Sequence, residues 1–152
     1  MLADDGVGIK VVRSLTSQLA AQNDVVTLEF CAGGMRLMEA LRGYQKAILI
    51  DAIVTPGGRP GRIYRFQPSD LRTTRNTCST HDASLVEALE LGRAVGLPLP
   101  EEIRIWAIEA GDVATFSEEL TQPVRAAVPK VIQGVIRELD DDRGLRRPGE
   151  TR

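Results

Sequence analysis

Three side chains of this sequence have types that together could bind a transition metal: Asp5, Asp51 and His81. Asp5 belongs to the run DDGVG at positions 4–8, Asp51 ends the apolar run 47–50, and His81 is the only histidine. Two carboxylates and one imidazole suit nickel, zinc, manganese or iron better than calcium or a thiolate-preferring ion. Three protein ligands would leave positions open for water or for groups from a partner.

Each of these residues also has a structural interpretation. Asp4 or Asp5 can cap the helix that follows, and both interpretations hold together if Asp4 is structural and Asp5 is a ligand. Asp51 can stand where a strand enters a solvated loop, although a buried carboxylate without a partner would be costly. A lone histidine such as His81 is more often a surface or core residue. Glu109 is a possible fourth carboxylate, which we expect to be solvated at a strand end.

The hydrophobic periodicity predicts alternating helices and strands that would position these side chains. The predicted helices are one that starts near Ile9 and ends near Gln22 and Asn23, one over 35–41, one from the turn at 79–82 to Val95, and a last one from Ser117 or Thr121 to Leu139. In that last helix Pro129 is either a kink or the true start. The predicted strands are 25–30, 47–51, 62–66 and 103–108, with a turn at 56–61, and the apolar run 47–50 is typical of a strand buried on both faces.

This alternation predicts an α/β fold with three layers, α/β/α, around a mostly parallel twisted sheet. In such sheets ligands collect beyond the carboxyl ends of the strands, where Asp51 and Glu109 are predicted to lie. Asp5 and His81 fall in loops that could lie on the same side. We expect one domain over residues 1–139 and a charged, disordered tail over 140–152.

Composition excludes several classes of function. The 152 residues carry a formal net charge of -2, so nothing in the charge balance favours a nucleic-acid partner. The apolar stretches are too short to cross a bilayer, and no export signal is recognisable, so we expect a cytoplasmic protein, most simply a monomer. Cys31 and Cys78 have no metal-binding spacing and are expected to be reduced, structural thiols.

The motifs and their order resemble those of the hydrogenase maturation endopeptidases. The similar segments are DDGVG at 4–8, ILID at 48–51 and STH at 79–81, followed by 105–109, 119–121 and a valine-rich helix. The resemblance implies a phosphorylase/hydrolase-like α/β/α fold. It also implies an endopeptidase that trims the C-terminal extension of the nickel-loaded large-subunit precursor of a nickel–iron hydrogenase.

Carried over to this chain, the resemblance implies that Asp5, Asp51 and His81 recognise nickel. The metal would be supplied by the substrate rather than held permanently, and would signal that the large subunit is ready for processing. Water activated by Asp5 or Asp51, acting on a metal-polarised carbonyl, is the corresponding hypothesis for an aspartic-type endopeptidase.

The sequence departs from the family pattern at its start, because the family's first strand, which ends in a Gly-x-Gly-Asn turn, would lie before Met1. We therefore expect the central strand to be missing, with unpaired neighbouring strands and reduced stability. Two other functions remain open. One is a non-catalytic module that binds nickel or the large subunit, and the other is a small-molecule hydrolase on the same fold.

Overall fold

A computed structural model describes the backbone of residues 3–73 and 80–145, and the side chains of residues 3–71 and 85–143. A short 3-10 turn, Asp4–Gly6, opens this part of the chain. The helices and strands that follow are α1 Val7–Gln18, α2 Gly34–Ala40, β1 Lys46–Ile53, β2 Ile63–Phe66, α3 Pro68–Thr73, α4 Thr80–Ala94, β3 Glu102–Glu109 and α5 Gln122–Leu145.

The sheet within the described residues has the strand order β1-β3-β2. β1 is parallel to β3, with Asp51 opposite Ala107, and β2 is antiparallel to β3. The sheet is therefore mixed rather than mostly parallel. The connection between β1 and β2 is too short for the crossover that would bring β2 back parallel to β1 and β3.

Helices cover both faces of the sheet, which confirms the predicted three layers. α1 and α5 bury their apolar faces against one side, and α2 and α4 pack together against the other. The first core includes Val7, Val11, Trp106, Val124 and Val131, and the second includes Met38, Leu85, Leu89 and Ile103. Apolar residues at helical spacing form such one-sided faces because burial removes them from water.

The predicted strand at 25–30 is wrong. These residues form no strand, and the side chains of Val26 and Leu28 are 60% and 52% exposed. A cavity of about 500 Å³ lies between this segment and the first half of β1, so their backbones do not pair. For the same reason β1 is half-buried rather than buried on both faces, and among the described strands it pairs with β3 alone.

The helix boundaries also differ in part from the prediction. α3 was not predicted, and α5 begins at Gln122, includes Pro129 and continues past Leu139 to Leu145. Ion pairs hold its final turns, since Lys46 binds Asp142 and Arg143 binds Asp24. Residues 146–152 of the predicted tail lie outside the described part of the chain. Within that part, no helix combines the length and apolarity needed to span a membrane.

Candidate active site

The turn that carries Asp5 packs against the strand that carries Asp51. A methyl group at Gly8, where α1 begins, would lie 2.3 Å from the carbonyl oxygen of Ile50 and 3.6 Å from Cα of Asp51. Only glycine permits this approach, which seats the start of α1 directly on β1. The sequence predicted that Asp51 is the last residue of its strand. This is wrong, because β1 continues to Ile53. Asp5 and Asp51 therefore lie at the same end of the sheet.

Asp4 has a structural role. It is fully buried, and its carboxylate accepts hydrogen bonds from the backbone N–H groups of Gly111 at 2.8 Å, Asp112 at 2.9 Å and Thr121 at 2.7 Å. The Thr121 hydroxyl donates a fourth bond at 2.8 Å. Burial alone would raise the pKa of Asp4, but these donors outweigh it and hold the pKa below its usual value.

The structural assignment of Asp4 is thus confirmed, although its task differs from the predicted one. It does not cap α1, whose N-cap is Gly6 without a side-chain bond. It instead binds the start of the chain to the connection between β3 and α5, a contact between residues more than a hundred positions apart.

Asp5 and Asp51 differ from Asp4 because both are exposed. No hydrogen bond or ion pair joins the Asp5 carboxylate to another described residue. One oxygen of Asp51, Oδ1, accepts a bond of 2.8 Å from the backbone N–H of Ala52, which orients the carboxylate. Two carboxylates that reach solvent at one end of a sheet can accept a proton or contribute oxygen ligands to a divalent cation.

The expectation that Glu109 is solvated is wrong. Its side chain is buried, and its carboxylate accepts bonds from Thr55, one of 2.7 Å from the backbone N–H and one of 2.8 Å from the hydroxyl. A methyl group at Gly58 would lie 2.0 Å from this carboxylate. Glu109 therefore fixes the connection between β1 and β2.

His81 lies in the first turn of α4, just after Thr80, but its side chain is outside the described set. The same holds for Ser79 and Cys78, whereas Cys31 is a free, exposed thiol. Among the described residues, no three His, Cys, Asp or Glu side chains come together in a group able to hold a metal ion. The set of Asp5, Asp51 and His81 thus stays a prediction.

Comparison with known proteins adds to this geometry. The family model for hydrogenase maturation proteases, HycI, matches residues 9–138, a range that includes Asp51 and His81 and begins after Asp5. The chain belongs to the hydrogenase maturation protease family. It is therefore a peptidase of this type, and the resemblance drawn from its short motifs is confirmed.

Two curated relatives align with nearly the whole chain. Protein FrxA of Pyrococcus furiosus is 29% identical over 138 residues, which is 89% of this chain and 95% of the relative. The hydrogenase expression/formation protein HupD of Rhizobium leguminosarum bv. viciae is 24% identical over 139 residues, or 90% of this chain and 68% of the relative.

Solved structures share the fold. The hydrogenase maturating endopeptidase HybD from E. coli superposes with a TM-score of 0.76 at 22% identity, covering 93% of this chain and 87% of that one. The [NiFe] hydrogenase maturation protease HybD from Thermococcus kodakarensis gives a TM-score of 0.67 at 23% identity, covering 90% of each chain. The mixed sheet between two helical layers is thus an architecture known from this family.

Proposed function

We propose that this protease removes the C-terminal extension of the nickel-loaded large-subunit precursor of a nickel–iron hydrogenase. Family membership supports the reaction type. The observation that carries the proposal for the site is the contrast between neighbouring carboxylates. Asp4 and Glu109 are buried, whereas Asp5 and Asp51 are exposed at the same end of the sheet.

The proposed roles follow from the chemistry of these groups. Asp5 and Asp51, with His81 from the start of α4, would contact the nickel carried by the substrate, since oxygen and imidazole ligands suit this ion. Asp5 or Asp51 would also accept a proton from the attacking water, as expected of an aspartic-type endopeptidase. The substrate's nickel would polarise the scissile carbonyl. Recognition of the metal would restrict cleavage to precursors that already contain it.

The partner in this proposal is the large-subunit precursor. The net charge of -2 supports neither nucleic acid nor an anionic membrane surface as a second partner. The monomeric state and the cytoplasmic location stay predictions.

The test of this function uses the large-subunit precursor, either loaded with nickel or empty, and mass spectrometry of its C-terminus. We expect the extension to be lost from the loaded form only, because nickel is the proposed recognition signal. Cleavage of both forms would contradict the role of nickel. Binding of the loaded precursor without cleavage would indicate a non-catalytic module. Turnover of small amides or esters beside an intact precursor would indicate a small-molecule hydrolase.

A further inference from the structure

The connection between β1 and β2 is held rigidly at the end of the sheet that carries Asp51. Glu109 binds it through Thr55, and the backbone N–H of Gly61 donates to the carbonyl oxygen of Glu109 at 2.8 Å. The φ angles of Gly57 and Gly61, 72° and 81°, lie in the left-handed region that favours glycine. These hydrogen bonds and the two glycine conformations together define the path of the loop.

The loop also packs against the elements that position Asp5. A methyl group at Gly111 would lie 3.2 Å from the ring of Pro60, and the N–H of Gly111 donates to Asp4. A methyl group at Gly61 would lie 2.4 Å from the carbonyl oxygen of Pro123, at the start of α5. The loop, the Asp4–Gly6 turn and the start of α5 therefore form one continuous rim.

Two guanidinium groups stand on this loop. Arg59 and Arg62 are exposed, and together with Gly57 and Gly61 they line an open cavity of about 560 Å³. Neither forms an ion pair with any side chain in residues 3–71 or 85–143. Arg62 lies over the ring of Tyr64, 5.1 Å from its centroid, which restricts its orientation.

Such a pair is suited to binding carboxylates. Guanidinium groups form paired hydrogen bonds with a carboxylate, and a rigid loop loses little conformational entropy when it binds. Two isolated arginines in a chain of net charge -2 do not form the long basic stripe that a nucleic acid needs.

We propose that Arg59 and Arg62 form a docking surface for an acidic segment of the polypeptide substrate beside the cleavage site. This inference rests on the proposed function, because it assigns the second contact of the same substrate. The surface contributes to binding and leaves the chemical step to the carboxylates at the end of the sheet.

The experiment measures kcat and KM for cleavage of the nickel-loaded precursor by Arg59→Gln and Arg62→Gln variants. We expect each change to raise KM about fivefold to tenfold while kcat stays within about twofold, and to weaken the salt dependence of KM. Arg59→Lys should raise KM less than Arg59→Gln does, because lysine keeps the positive charge. Arg137→Gln is the matched control, since Arg137 is exposed on α5 beside Glu138, which lies 3.8 Å from Lys46 at the opposite end of β1.

An unchanged KM and salt dependence in both variants would overturn the docking surface, and so would a loss confined to kcat. If the unaltered protein does not cleave the precursor, this result contradicts the proposed function and not the docking surface. The inference is then decided by equilibrium binding of the same precursor. Weaker binding to Arg59→Gln and Arg62→Gln than to Arg137→Gln would support it, and equal or absent binding would overturn it.

Discussion

The carboxyl end of the sheet and the outer edge of β1 are built in opposite ways. At the carboxyl end, the buried carboxylates of Asp4 and Glu109 bind backbone and hydroxyl groups of the surrounding connections. Along the outer edge, a cavity of about 500 Å³ separates β1 from exposed apolar side chains such as Val26 and Leu28.

This difference shows which part of the fold holds its side chains in a fixed geometry. The geometry of a reaction site has to be held to a fraction of an ångström by packing and hydrogen bonds of the surrounding residues. The carboxyl end meets this requirement, because Asp4 and Glu109 hold the segments that adjoin Asp5 and Asp51. At the outer edge of β1 the exposed side chains of Val26 and Leu28 lie beside the cavity, so we expect these two side chains to contribute little to stability.

The largest effect is expected from Asp4. Asp4→Ala would leave several buried donors without an acceptor, which should lower the free energy of unfolding by about 3–5 kcal/mol. Asp5→Ala is the matched control, because Asp5 is exposed and its removal should change stability by no more than about 0.5 kcal/mol. Chemical denaturation of the three proteins measures both values. Equal losses for the two variants would contradict the assignment of Asp4 as the structural residue.

Acid should remove the stabilisation that the ionised Asp4 carboxylate gives to the folded state. Because hydrogen bonds hold its pKa below the usual 3.8, its contribution to stability is complete above that pH and is lost as the pH falls through the lower folded-state value. The difference in unfolding free energy between the unaltered protein and Asp4→Asn should therefore shrink on acidification below that value. A difference that stayed constant or grew would show that the carboxylate charge is not what stabilises this contact.

The smallest effect is expected at the outer edge of β1. Leu28→Ala should change the free energy of unfolding by less than about 0.5 kcal/mol, because Leu28 is half exposed beside the cavity. Leu15→Ala is the reference, since Leu15 is buried in the core and its truncation should cost about 2–5 kcal/mol. A loss above about 1 kcal/mol for Leu28→Ala would mean that the cavity is closed in solution and that the two regions differ less than the structure indicates.

Hydrophobic periodicity predicted those helices and strands that pack against another described helix or strand. β3, β2 and the apolar faces of α1 and α5 fall close to their predicted positions because their periodicity matches a buried face. The segment 25–30 has the same alternation, typical of a strand, but a strand also requires a neighbour within hydrogen-bonding distance. The segment 25–30 has no such neighbour, since β1 pairs only with β3 among the described strands.

The site was predictable to a similar degree. The structural role of Asp4 was among the interpretations of two adjacent carboxylates before a helix, and Asp4 is indeed buried whereas Asp5 is exposed. The burial of Glu109 could not be predicted, because a carboxylate at a strand end has the same local sequence whether it faces water or a loop. Its environment is set by Thr55 and Gly58, more than fifty positions earlier in the chain.

The placement of the active site at the carboxyl end of β1 is tested by cleavage of the nickel-loaded precursor by an Asp51→Asn variant. The products are measured by mass spectrometry, and thermal unfolding of the variant is measured in parallel. Asp141→Asn on α5 is the control, because Asp141 is exposed and its neighbour Asp142 contacts Lys46 at the opposite end of β1. We predict that Asp51→Asn abolishes removal of the C-terminal extension and leaves the unfolding temperature unchanged, while the control cleaves normally. Cleavage by Asp51→Asn at the rate of the unaltered protein would contradict the placement of the active site at the carboxyl end of β1.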